Sequence, residues 1–179
     1  MAMRSGWLRW ELLGIPLIFL AGSTLHFVFA WCGRAPFVAP FAAVNESTRE
    51  HLKLAFWPSV IYAAVEYIAF GRKTPSFAVA KSVGILIMPL CVVVLFYGYK
   101  VLLGHHLVWL DILIFLVAVS AGQMAAYLLM STGRRHERWV WIGLLAVALL
   151  GVCFALFTFR PPHLPVFRDS VTGKYGIAD

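Results

Sequence analysis

Apolar residues run along this chain in five long blocks, and polar residues gather in the breaks between them. A membrane-crossing helix needs roughly 20 mostly apolar residues to span a core of about 30 Å. Five segments meet that requirement: about Trp10 to Trp31, Glu46 to Phe70, Phe77 to Leu103, Leu107 to Ser131 and Trp139 to Phe159. The breaks carry turn chemistry, with GRAP, GRKTPS, LGHH and STGRRHE following the first four blocks. The pattern predicts an all-α, polytopic membrane helix bundle of five transmembrane helices over residues 1–160, then a tail over 161–179. The first block starts basic, but its apolar run is longer than a signal-peptide core and no A-x-A exit precedes Cys32, so it is expected to be retained.

Composition sharpens this. The chain has 179 residues, 61% hydrophobic and 13% charged, where a soluble domain carries about a quarter charged residues. That length suits one domain. The net charge of +7 does not point to nucleic acid, because the basic residues sit at the ends of the apolar blocks. Cys32, Cys91 and Cys153 are far apart and form neither a metal spacing nor a disulfide framework.

Lysine and arginine set the orientation. With the N-terminus inside, the inner segments hold Arg4, Arg9, Arg72, Lys73, Arg134, Arg135 and Arg138. The outer loops hold Arg34 and Lys100, Arg49 and Lys53 add to them, and the tail brings Arg160, Arg168 and Lys174. Short loops outweigh tails, so the reading is N-terminus inside and C-terminus outside. Most of the unusual polar residues then share the outer face.

The densest polar stretch is VNESTREHLKLAFWPS, residues 44–59. Ser47-Thr48-Arg49-Glu50 reads as a capping box, with Ser47 and Glu50 exchanging bonds to each other's backbone N–H. Asn45 is an alternative N-cap, and Asn45-Glu46-Ser47 matches a glycosylation sequon. Capping explains neither His51 nor Lys53. Glu46 and Glu50, four apart, are expected on one helix face, joined by Lys53, with His51 about 100° away. Two carboxylates and a histidine can hold a divalent metal such as zinc, or relay protons. His26, near the outer end of the first helix, is the expected partner, as a metal ligand or as a residue bonded to a neighbouring helix.

Other outer candidates follow. Lys100 ends the third helix as a snorkelling cation, and His105 and His106 occupy a tight, solvated loop. Asp111, near the start of the fourth helix, is expected to cap it, to pair with Lys53 or Lys100, or to act as ligand or general base. An inner group comprises Glu66 with Lys81 as its ion-pair partner. His51 and Glu66 are separated by about 22 Å of helical rise, with Ser59 and Tyr62 between, so they mark either separate features or the two ends of a proton or ion path. Pro58 and Pro89 bend their helices and free backbone carbonyls. In the tail, Pro161, Pro162 and Pro165 stop the helix, and Asp169 to Gly173 reads as a turn, so the tail either folds back over the outer face as a lid or runs on as an ordinary extended tail.

VNESTREHLKLAFWP, DILIF at Asp111 to Phe115 with Gly122-Gln123, and the ending PPHLPVFRDSVTGKYGI together resemble an uncharacterised family of bacterial multi-helix membrane proteins, a domain of unknown function. Arg49 and Ser170 depart from the expected Trp-like and Pro-like residues. The resemblance implies a bacterial inner-membrane protein and no particular activity.

Four functions fit these residues. One is an outer-face site, metal-dependent or acid/base, acting on a lipid or other apolar substrate, with Glu46, Glu50 and Asp111 as catalytic groups and His26 and His51 as metal ligands. No HExxH and no nucleophile elbow accompany it. The others are a small oligomeric ion- or proton-coupled transporter or channel, a membrane scaffold or accessory subunit, and a haem protein ligated by His26 with His51 or His105.

Overall fold

The computed structural model of the chain describes residues 2–134 and 137–177; Arg135, counted above among the inner basic residues, lies outside them. Five helices follow in order: α1 Ala2–Trp31, α2 Thr48–Ala69, α3 Phe77–Leu103, α4 Val108–Ser131 and α5 Glu137–Phe159. Short 3₁₀ turns cover Gly71–Lys73 and Pro165–Phe167. All five helices are long and apolar enough to cross a membrane. Helix α3 has the expected bounds, whereas α1 begins well before Trp10 and α2 begins after Glu46.

Helix α2 is the hub and the most buried of the five. It packs on α1 and α3, and α4 closes the bundle against α1 and α3. Helix α5 leans mainly on α3 and leaves most of its surface uncovered. Leu52, Phe56, Ile85, Val92, Ile114 and Phe154 interlock from α2, α3, α4 and α5. Ile18, Tyr62, Met88 and Val119 form a second cluster beside α1.

Two close approaches set the crossing geometry. A Cβ at Gly84 would lie 2.6 Å from the Gly122 carbonyl oxygen, so only glycine lets α3 and α4 touch backbone to backbone. Gly22 of α1 likewise faces the Leu54 carbonyl, whose usual helical donor is missing because residue 58 is proline.

The segment between α1 and α2 is more than a connection. Gly33 and Arg34 turn it with positive φ, 63° and 61°, and it folds back so that Ala39 and Ala42 are fully buried. Lys53 Nζ donates to the Ala39 carbonyl at 2.8 Å, and Trp57 Nε1 donates to that of Pro40 at 3.0 Å. Two successive turns of α2 thus carry the loop, because a buried backbone carbonyl needs a donor.

The expected capping box is absent. The Ser47 hydroxyl makes no cap bond and, among the described residues, is buried without a hydrogen-bond partner. Instead the Ser47 N–H donates to Asn45 Oδ1 at 2.9 Å, an Asx turn. Glu50 does not reach back to Ser47. Its carboxylate accepts from the Val44 N–H at 3.0 Å and pairs with Arg49 and, at 2.5 Å, with Lys53. A buried carboxylate takes the nearest cations, because an unpaired charge away from water is far more costly than a lost cap.

Candidate metal centre

Glu46 precedes the helix, so it does not share a helix face with Glu50 as the four-residue spacing predicted. Its side chain turns toward the imidazoles. His26 on the last turns of α1 and His51 on the first turn of α2 bring their Nε2 atoms within 3.2 Å of each other. Glu46 Oε2 lies 3.5 Å from His26 Nε2 and 3.4 Å from His51 Nε2. Three donor atoms therefore form a nearly equilateral triangle, and each residue is partly open to solvent or cavity.

The orientation of His51 is set from behind. Its Nδ1–H donates to the Ser47 carbonyl at 2.9 Å, which leaves the Nε2 lone pair aimed at Glu46 and His26 in the neutral ring. Backbone carbonyls serve metal-bound histidines in this way. When the two rings are protonated their Nε2–H groups donate to Glu46, and these bonds hold its carboxyl well below the usual carboxylate range and outweigh the opposing effect of burial. Glu46 is therefore a standing anion between two imidazoles.

The tail positions Glu46. Its N–H donates to Asp169 Oδ2 at 3.3 Å, and its carbonyl accepts from the Ser170 hydroxyl at 3.0 Å. Asn45 Nδ2 donates to the Gly176 carbonyl at 2.8 Å. Asp169 Oδ1 accepts from Val171 and Thr172 N–H at 2.7 and 2.8 Å, and Arg168 and Tyr175 form an antiparallel bridge. Burial alone would push the Asp169 carboxyl up, but the backbone donors Thr172, Val171 and Glu46 bring it below its ordinary value.

The triangle borders a cavity of about 1000 Å³ between α1, α2, α3, α4 and the tail. Lys100, His106 and Asp111 line it too. Asp111 pairs with neither Lys53 nor Lys100: it accepts from the Tyr99 hydroxyl and faces His106 Nδ1 at 3.4 Å. Tyr99 is one helical hairpin away and reaches Asp111 without crossing the bundle, whereas Lys53 is already held by Glu50. His105 is exposed, turned to the Leu103 carbonyl, and does not join the cluster. His26 and His51 are too close together to clasp a haem between them.

The remaining candidates form two structural networks. Arg49 binds Glu50, Thr158 Oγ1 at 2.9 Å and the Cys153 and Phe154 carbonyls, while Lys53 also reaches Thr158 at 3.1 Å. This network ties α2 to the end of α5. At the opposite end of the bundle Lys81 pairs with Glu66, as the sequence predicted, and also with Glu11 Oε1 at 2.5 Å. All three are buried. Glu11 escaped the sequence reading, although a lone carboxylate inside an apolar block was the available signal. Between the two ends, Ser59 donates to the Ala55 carbonyl at 2.6 Å and Tyr62 to that of Trp10 at 2.6 Å.

Fold and site together define an all-helical protein whose five helices have the length and apolarity of a multi-pass membrane bundle, with a histidine–glutamate cluster at one end. The chain belongs to a family of unknown function (DUF6512), whose model matches residues 2–177. No curated protein matches it. No solved structure matches it either.

Proposed function

We propose that this is a multi-pass membrane protein, N-terminus inside and C-terminus outside, that binds a divalent transition metal at its outer face. Its ligands are His26, Glu46 and His51, and the site acts on a lipid or other apolar substrate. The supporting observation is the donor triangle, with edges of 3.2, 3.4 and 3.5 Å. Tetrahedral zinc with bonds of about 2.0–2.1 Å places its ligand atoms about 3.3–3.4 Å apart. Two imidazoles and a carboxylate form the ligand set of hydrolytic zinc sites that keep a fourth position open. His26, Glu46 and His51 line the cavity, so a fourth ligand would come from there. A metal held there would supply Lewis acidity. The chain's own residues do the rest: the Ser47 carbonyl orients His51, the tail holds Glu46, and Asp111 stands on the cavity wall as a proton acceptor. The Lys–Arg asymmetry of the loops supports the orientation, and the resemblance noted above points to a bacterial inner membrane.

The test is elemental analysis of detergent-purified protein, as wild type, His51→Ala and Glu46→Gln, each dialysed against zinc. Near-stoichiometric zinc in the wild type and its loss in both variants is the expected result. Folded wild type that holds no zinc would sink the reading and leave a proton-linked His26–Glu46–His51 cluster.

A further inference from the structure

We infer that the cavity beside the three-residue cluster receives a phosphate-bearing amphiphile, a lipid-like molecule with its headgroup at the rim. The inference names the substrate class of the site proposed above and rests on that reading for the metal's share of the headgroup contacts. The cavity, about 1000 Å³, is at the upper end of ligand-site volumes. Its apolar wall is made by Phe19, Leu54, Val92, Ile114 and Phe115. The same cavity is also lined by His26, Glu46, His51, Lys100, Asp111 and Arg168.

Counter-ion accounting there leaves two cations without a carboxylate partner. Three carboxylates line the cavity, and each is already engaged: Glu46 by His26 and His51, Asp111 by Tyr99 and His106, and Asp169 by the N–H groups of Val171, Thr172 and Glu46. The two strong bases that line the same cavity are not. Lys100 Nζ lies 5.4 Å from the Phe96 ring centroid, and Arg168 gives only its Nε–H to the Gly173 carbonyl, at 3.3 Å. Among the described residues neither makes an ion pair. They sit on different elements, the end of α3 and the tail, and converge on one cavity.

A guanidinium and an ammonium above an apolar wall fit an anionic head on a hydrocarbon chain. The choice of phosphate follows from the number of acceptors. Lys100 and Arg168 line the same cavity as the cluster, and a metal held there would add a third receptor. A phosphate monoester presents three unesterified oxygens, whereas a fatty carboxylate presents two. A metal held by His26, Glu46 and His51 would offset the negative charge of Glu46.

The probe is dodecyl phosphate, titrated by native mass spectrometry into the full-length protein in a neutral maltoside detergent. Dodecanol, dodecanoate and inorganic phosphate are the comparators, and zinc content is measured on every sample. Dodecyl phosphate is expected to bind at least about tenfold more tightly than any comparator. Lys100→Gln and Arg168→Gln should each weaken it about tenfold while zinc content stays at the wild-type level. Equal binding of dodecanol or dodecanoate, or a Lys100→Gln/Arg168→Gln double variant that binds as wild type does, would overturn the inference. Inorganic phosphate binding as tightly as the ester would overturn it too, by removing the apolar wall from recognition. Failure of the metal reading would show separately, as wild type without zinc.

Discussion

His26 and His51 are 25 residues apart in sequence, and their Nε2 atoms lie 3.2 Å apart across the α1–α2 contact. One ring is pinned by a backbone carbonyl and the pair is bridged by a single carboxylate, so the three behave as a unit. Glu46→Gln keeps the shape and removes the anion. Zinc affinity should fall by at least about 100-fold, beyond the 10–100-fold expected for changes one layer out. Acidification should release zinc from the wild type, since protons compete for the same lone pairs. A competition titration with a chromogenic chelator measures both.

The buried Glu11–Lys81–Glu66 group makes a separate prediction. Lys81→Met leaves two carboxylates facing each other without a cation and should cost about 3–5 kcal/mol. The triple variant Glu11→Gln, Glu66→Gln, Lys81→Met removes all the charges and should regain most of that loss. Thermal unfolding in detergent, followed by circular dichroism, ranks the three proteins. A Lys81→Met protein as stable as wild type would show that the ion pairs hold nothing together.

Helix crossing depends on missing side chains. Gly84→Ala places a Cβ 2.6 Å from the Gly122 carbonyl oxygen, which forces α3 and α4 apart and should destabilise by about 1–3 kcal/mol. Gly6→Ala meets nothing within 4 Å and should be neutral or stabilising by up to about 1 kcal/mol. The same melting experiment compares them. Equal effects would mean that the α3–α4 contact yields freely.

Asp169 holds the tail to the Glu46 segment. Asp169→Asn weakens its hydrogen bonds from backbone N–H groups, each worth about 1.5–3 kcal/mol when the acceptor is charged. Trypsin should then cut after Arg168 or Lys174 several-fold faster at neutral pH. The sign with pH is fixed by the depressed carboxyl. Its contribution is complete above its ordinary value of 3.8 and is lost as pH falls through the lower folded value. Fluorescence of a label on the tail should report release in acid but no change between pH 6 and 8. Unchanged cleavage in the variant would mean that the tail is held by its apolar contacts, such as Phe157 with Phe167.

The helices were legible because an apolar block long enough to cross a membrane has few other ways to satisfy its backbone. The Glu66–Lys81 pair was legible for a related reason: a charge inside such a block needs a partner, and the nearest opposite charge at matching depth was Lys81. The same rule applied to Glu11 would have found the third member. The capping box failed where local pattern met tertiary demand. Ser47 and Glu50 have the right spacing, but Arg49 and Lys53 were already buried beside Glu50, and buried cations hold a carboxylate more strongly than a backbone N–H that Asn45 already serves.

What the sequence determined alone was the set of five apolar helices, the basic asymmetry of their flanks and the residue types able to bind a metal. Which of those residues meet was decided by the tertiary structure. His51 points to His26 because α1 and α2 touch near Gly22. Glu46 leaves the helix because Asp169 and Ser170 hold its backbone. Glu50 is taken out of the site by two cations. Periodicity records which face of a helix is buried, but not which neighbour buries it, and a metal-ligand set is a relation between neighbours.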